Sequence, residues 1–166
     1  MRAMAALGVE RTCVHFLDEP DGTLNVITPD RREALVVRLA GLFDTVVPGE
    51  LFLPCYPDGS SEHDATFGFV IDALRRTRIR PDVWQYPVWS WWNPDAAFAR
   101  WAHSHECRRL PLEDYAQGKF QAISCYETQI DPLPPDRLAS LPRELIGIFQ
   151  QDSEFFFRYD PGAPKS

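Results

Sequence analysis

The chain has 166 residues, 45% of them hydrophobic, enough for one domain with a substantial core. Its formal net charge of -7 excludes general nucleic-acid binding, which needs a concentrated Lys/Arg footprint. The RRTRIR cluster at 75–80 reads as the solvated end of a helix, where cations complement the negative terminus.

No window approaches the roughly 18 apolar residues of a membrane helix, and the first twenty residues lack the charged start, apolar middle and cleavage site of a leader. The expectation is a cytoplasmic protein with no membrane span. Cys13, Cys55, Cys107 and Cys125 lie far apart in apolar contexts without a CxxC pair, which suits reduced core residues.

In chain order, residues 1–7 resemble the end of a helix stopped by Gly8. Residues 13–17 (CVHFL) suit a short buried strand, with His15 as a structural histidine, and DEPDG at 18–22 is a turn. Thr28 followed by Pro29 predicts the start of a helix running to about Phe43, with Leu35, Leu39 and Leu42 inward. Residues 51–55 predict a second strand. Ser61 with Asp64 predicts the capped start of a helix over 62–76 that buries Thr66, Phe69, Val70, Ala73 and Leu74.

Residues 82–89 (DVWQYPVW) predict a third strand, and this alternation points to a parallel sheet with helices on its faces. Beyond it come a Trp-rich turn, a short helix from about Asp95, a short strand at 107–112, a helical pattern over 113–130 interrupted by Gly118, and a proline-rich connection. A helix over 143–150, an edge strand at 154–159 (EFFFRY) and a frayed tail at 160–166 complete the chain.

His63 is the first candidate for chemistry. A residue in the first turn of a helix that follows a strand sits at the carboxyl edge of a parallel sheet, where open α/β folds place ligands. Asp58, Glu62 and Asp64 lie close in sequence; the same residues also read as an ordinary polar helix start. A zinc site needs three or four ligands, and no second histidine stands three or four residues away. His103 and His105 are the distant candidates. No GxSxG elbow and no glycine-rich phosphate loop is present. Trp84, Trp89, Trp91, Trp92 and Trp101 read either as core and interface or as a sugar-stacking platform.

Four segments in order resemble the PIG-L/LmbE-type zinc-dependent N-acetyl deacetylases: LGVERTCVHFLDEPDGTL, LFLPCYPDGSSEHDATFGFVIDAL, KFQAISCYETQI and EFFFR. The resemblance implies a Rossmann-like three-layer α/β fold with a mostly parallel sheet. It also implies a zinc-activated water and hydrolysis of an N-acetyl group on a small molecule, such as an amino sugar. By motif position, His63 matches a zinc-ligating histidine, while Ser60, in the segment Ser60-Ser61-Glu62-His63, replaces a second family histidine. Asp21, Asp58, Ser60 and Glu62 are the corresponding expected substrate-binding residues.

The family's upstream AHPDDE segment, which supplies the other ligands and the base, has no counterpart here. The expectation is therefore a carboxyl-terminal portion missing its first strand, incomplete as a catalyst and prone to self-association through unpaired edges. The competing expectation is a non-catalytic remnant that binds a carbohydrate or protein partner through the Trp-rich segment.

Overall fold

The computed structural model describes residues 1–92, 106–131 and 141–160. Helix α1 (Arg2–Ala6) is followed by 3-10 turns at Arg11–Cys13 and Leu24–Val26, helix α2 (Pro29–Val46), strand β1 (Glu50–Pro54), helix α3 (Ser61–Arg76) and strand β2 (Asp82–Tyr86). Then come a 3-10 turn at Trp89–Trp92, strand β3 (Cys107–Pro111), a 3-10 turn at Glu113–Tyr115, helices α4 (Ala116–Ser124), α5 (Glu127–Ile130) and α6 (Arg143–Phe149), and strand β4 (Ser153–Arg158). The strands are ordered β1-β2-β4-β3. The chain divides into two compact units, Met1–Phe16 with Arg109–Glu154, and Leu17–Arg108 with the chain from Phe155.

The fold is mixed α/β, but the mostly parallel sheet implied by the resemblance is not what forms. β1 and β2 are parallel, with Glu50 opposite Asp82 and Pro54 opposite Tyr86. β2 and β4 are antiparallel, with Trp84 opposite Arg158 and Gln85 opposite Phe157. A parallel pair needs a crossover of a dozen or more residues, and α3 supplies one between β1 and β2. The alternation of strand and helix that predicts parallel pairing applies only to that unit. EFFFR, expected at an edge, lies inside the strand order because β3 flanks it on its far side.

Residues 13–17 do not form the expected strand. Arg11–Cys13 is a 3-10 turn, Val14 is extended, and His15 and Phe16 are exposed. An apolar run this short cannot choose its own structure, because pairing decides whether it becomes a strand.

In the second unit, α2 and α3 pack together over one face of the β1/β2 pair. Leu35, Val36, Leu39 and Phe43 from α2 meet Phe67, Phe69, Val70 and Ala73 from α3, with Leu53 and Val83 beneath them. The predicted stripe on α3 is displaced at one end: Phe67 is buried where Thr66 was expected, and the Thr66 hydroxyl instead donates to the Glu62 carbonyl at 2.8 Å. Thr28 precedes α2 as expected, with Pro29 at its first position, although the Thr28 side chain makes no capping bond. Val47 ends the helix in the left-handed region at φ 50, its N–H donating to the Phe43 carbonyl at 2.8 Å.

In the first unit, α1 lies against α4. The helix expected over 113–130 forms as three pieces, Glu113–Tyr115, Ala116–Ser124 and Glu127–Ile130, with Tyr126 leaving helical geometry at ψ 48. The predicted helix from Asp95 and residues 132–140 of the proline-rich connection DPLPPDRLASLP (131–142) fall outside the described residues. No helix among the described residues is long and apolar enough to cross a membrane.

The two-helix core predicts a contrast within one helix. Leu35→Ala, at a site 4% exposed, should cost about 2–4 kcal/mol through lost burial and a residual cavity. Val37→Ala, at a neighbour 53% exposed, should stay within about 0.5 kcal/mol. Urea unfolding of the two variants measures both, and equal losses would contradict this packing.

Candidate functional site

Parallel pairing of β1 and β2 sends the chain out of both strands at the same edge of the sheet. Beyond β1 the chain runs through Tyr56, with a cis peptide to Pro57, into Asp58, Gly59 and Ser60 before α3 begins. Beyond β2 it runs through Pro87 to Val88 and the 3-10 turn Trp89–Trp92. The two exits are joined by one side chain. Asp58 is 1% exposed, and its Oδ1 accepts from the N–H groups of Val88 and Ser90, each at 3.0 Å, and from the Ser90 hydroxyl at 2.7 Å. Its Oδ2 accepts from the Trp89 N–H at 3.1 Å and meets His63 Nδ1 at 2.5 Å.

Local sequence explains how His63 arrives there. Gly59 adopts φ +79, a conformation that glycine takes at little cost, and its Cα approaches the Trp89 side chain closely enough that an added Cβ would lie 3.9 Å from it. Ser60 is extended and caps α3, its Oγ accepting from the His63 N–H at 3.4 Å. The helix therefore starts one residue earlier than the Ser61 signature suggests. Asp64, expected to complete a capping box, accepts the Asp58 N–H at 3.1 Å instead. Glu62 reaches away from the helix, both oxygens meeting the Leu24 N–H at 3.2 and 3.3 Å. The Tyr56 N–H donates to the buried Gln85 side chain at 3.1 Å, and the Tyr56 ring stacks on Phe67.

The electrostatics follow from the donors. Burial alone raises the Asp58 pKa, but hydrogen bonds from His63, Ser90 and the Val88 N–H outweigh it and hold the carboxyl below its ordinary range. A carboxylate in that state only accepts, so His63 Nδ1 is the donor and Nε2 is left without its proton in the neutral ring. The His63 side chain is 25% exposed. Burial, and then the Asp58 charge, pushes the Cys55 thiol up, and the same two causes raise the Tyr86 phenol, so neither is a ready nucleophile.

Of the residues singled out in the sequence, Asp58, Ser60 and His63 come together, while Glu62 reaches to Leu24 and Asp21 lies exposed in the turn at 21–22. His103 and His105 fall outside the described residues. Among the described residues there is no group of three or more His, Cys, Asp or Glu side chains arranged to hold a metal ion. Sequence reasoning missed Ser90 and the N–H groups of Val88 and Trp89, because nothing local in VWS marks them as partners of a residue some thirty positions earlier.

Trp101 falls outside the described residues, and among those described the tryptophans do not make an open platform. Trp84 is 2% exposed beneath the Arg108 guanidinium, and Trp91 packs edge-on to Phe155, leaving Trp92 as the exposed indole among the described residues. In the first unit, Lys119 pairs with Glu154 at 2.9 Å, bringing together the KFQAI and EFFFR segments. An apolar cleft of about 190 Å³ in that unit, lined by Ile123, Tyr126, Ile130, Ile146 and Phe149, contains none of the predicted site residues.

No family model matches the chain, and no curated protein matches it.

Removing the Asp58 carboxylate orphans several buried donors at once. Asp58→Ala should therefore cost about 3–5 kcal/mol near neutral pH. Because the folded pKa lies below the ordinary 3.8, the contribution of the ionised group is complete above that value and fades as pH falls through the lower folded one. Urea unfolding of wild type and Asp58→Asn across pH should show a stability gap that narrows below about pH 3.8. A gap independent of pH would contradict the buried ionised carboxylate.

Proposed function

We propose that this chain carries the histidine side of a zinc-dependent hydrolase centre of the PIG-L/LmbE type, acting on an N-acetylated small molecule. The observation that carries the reading is the Asp58–His63 pair, with Nδ1 at 2.5 Å from a buried carboxylate and Nε2 outside that contact. Metal-ligating histidines nearly always donate their other ring N–H in this way, which fixes the tautomer and strengthens the ligand. The pairing joins the aspartate and the histidine of one resembling segment, DGSSEH, and the Lys119–Glu154 ion pair joins two others.

The described residues fit zinc only in part. His63 would hold the metal, and Asp58 would orient that ligand from behind; further ligands must come from outside the described residues. When bound, zinc supplies a Lewis acid and an activated water at neutral pH. This chain's own contribution is to present a fixed imidazole at the sheet edge, beside a helix start that favours negative charge.

The test is a zinc titration followed both by calorimetry and by the His63 imidazole resonances. The expected outcome is a zinc-dependent shift at Nε2 and at least tenfold weaker binding in His63→Ala, the loss typical of a ligand contact. Zinc affinity that is unchanged by His63→Ala would overturn the assignment.

A further inference from the structure

We propose that Asp58 is a positioning residue that sets His63 in its Nδ1–H tautomer through one oxygen and seats the Val88–Ser90 backbone through the other. The inference deepens the reading above, on which it rests only for the use made of Nε2.

The division between the two oxygens carries the argument. Oδ1 is occupied by the N–H groups of Val88 and Ser90 and by the Ser90 hydroxyl. Oδ2 is occupied by His63 Nδ1 and the Trp89 N–H. A carboxylate offers about four lone-pair sites, and here it meets five donors, so Asp58 has no acceptor capacity left for a ligand. Its action on anything bound nearby is exerted through His63.

His63 is held from the backbone side by the Ser60 cap on its own N–H, so its Cα is fixed to the first turn of α3. With the Cα fixed and Nδ1 bound, the ring plane and the direction of Nε2 are fixed as well. Because the same carboxylate organises residues 88–90, the tryptophan turn and the imidazole keep a constant relation, as long as Asp58 accepts at both oxygens.

An amide of the same shape breaks this arrangement in a directed way. In Asp58→Asn, the three donors on the Oδ1 side favour keeping the amide oxygen there. The NH2 group then faces His63 Nδ1 and turns it from donor into acceptor. The neutral ring is expected to switch to the Nε2–H tautomer, capping the nitrogen that the wild type leaves bare.

The experiment is long-range proton–nitrogen NMR of the zinc-free chain, read on the neutral imidazole of His63. In the wild type the Nδ1–H form should exceed the Nε2–H form by at least about tenfold, the ratio a charge-assisted hydrogen bond supports. Asp58→Asn should invert that preference, whereas Ser90→Ala, which removes a donor from Oδ1 alone, should keep it. A wild-type ring found mainly as Nε2–H overturns the proposal without any variant, so the test survives if Asp58→Asn fails to fold. Retention of Nδ1–H in a folded Asp58→Asn, or an equal switch in Ser90→Ala, also overturns it, since the tautomer would then not follow Oδ2. No metal enters the measurement, so its failure is distinct from failure of the zinc titration.

Discussion

The second unit depends on a charge that should not be buried alone. Moving a carboxylate out of water costs several kcal/mol, and the cost is tolerable only where hydrogen bonds replace the lost hydration. Asp58 meets that condition with five donors drawn from two stretches of chain, residues 63 and 88–90. The stretches are neighbours because β1 and β2 run parallel and in register from Glu50/Asp82 to Pro54/Tyr86. Strand pairing brings two loops to one edge, the loops supply the donors, and the donors make an ionised aspartate stable there.

The platform beneath this edge is apolar. The α2–α3 pair covers the sheet with leucine, valine and phenylalanine side chains, each contributing roughly 1.5–3 kcal/mol when fully buried. The ion pairs that bridge the same helices, Arg32 with Asp72 and Arg76 with Glu33, are partly open to solvent and add less than this apolar burial. What α3 contributes to the site is therefore a rigid start, held by burial of Phe67, Phe69 and Val70 one to two turns further on. His63 inherits that rigidity through the Ser60 cap.

Much of this was legible locally, and the failures share one cause. The helix opened by Pro29, expected to about Phe43 and found to run to Val46, and the strand–helix–strand unit follow from periodicity and from Pro29 at a first turn. Features that needed a partner distant in sequence were not legible: the direction of β4, the fate of residues 13–17, and the role of Asp58. A carboxylate in a DGSS loop looks the same whether it faces solvent or five donors. Ser60 is instructive in the same way. By resemblance it replaces a second histidine, yet the structure uses it to cap α3, a role that serine fills well and histidine does not.

The use made of these side chains bears on how chemistry could run here. Asp58 is saturated, Glu62 is spent on the Leu24 N–H, and Ser60 is spent on the His63 N–H, so three of the four residues expected to contact substrate hold the site together instead. The exposed Asp21 is the one whose carboxylate these bonds do not engage. Among these side chains, His63 Nε2 is the atom that the bonds described above do not engage. A lone imidazole binds metal weakly and polarises a carbonyl poorly, whereas one locked in a single tautomer and direction becomes useful when other groups complete its coordination. The architecture is that of an imidazole held from two sides, by Ser60 at its backbone and by Asp58 at its ring. Its preparation has a cost in buried charge that ordinary helix capping would not require, since Ser60 alone would start α3.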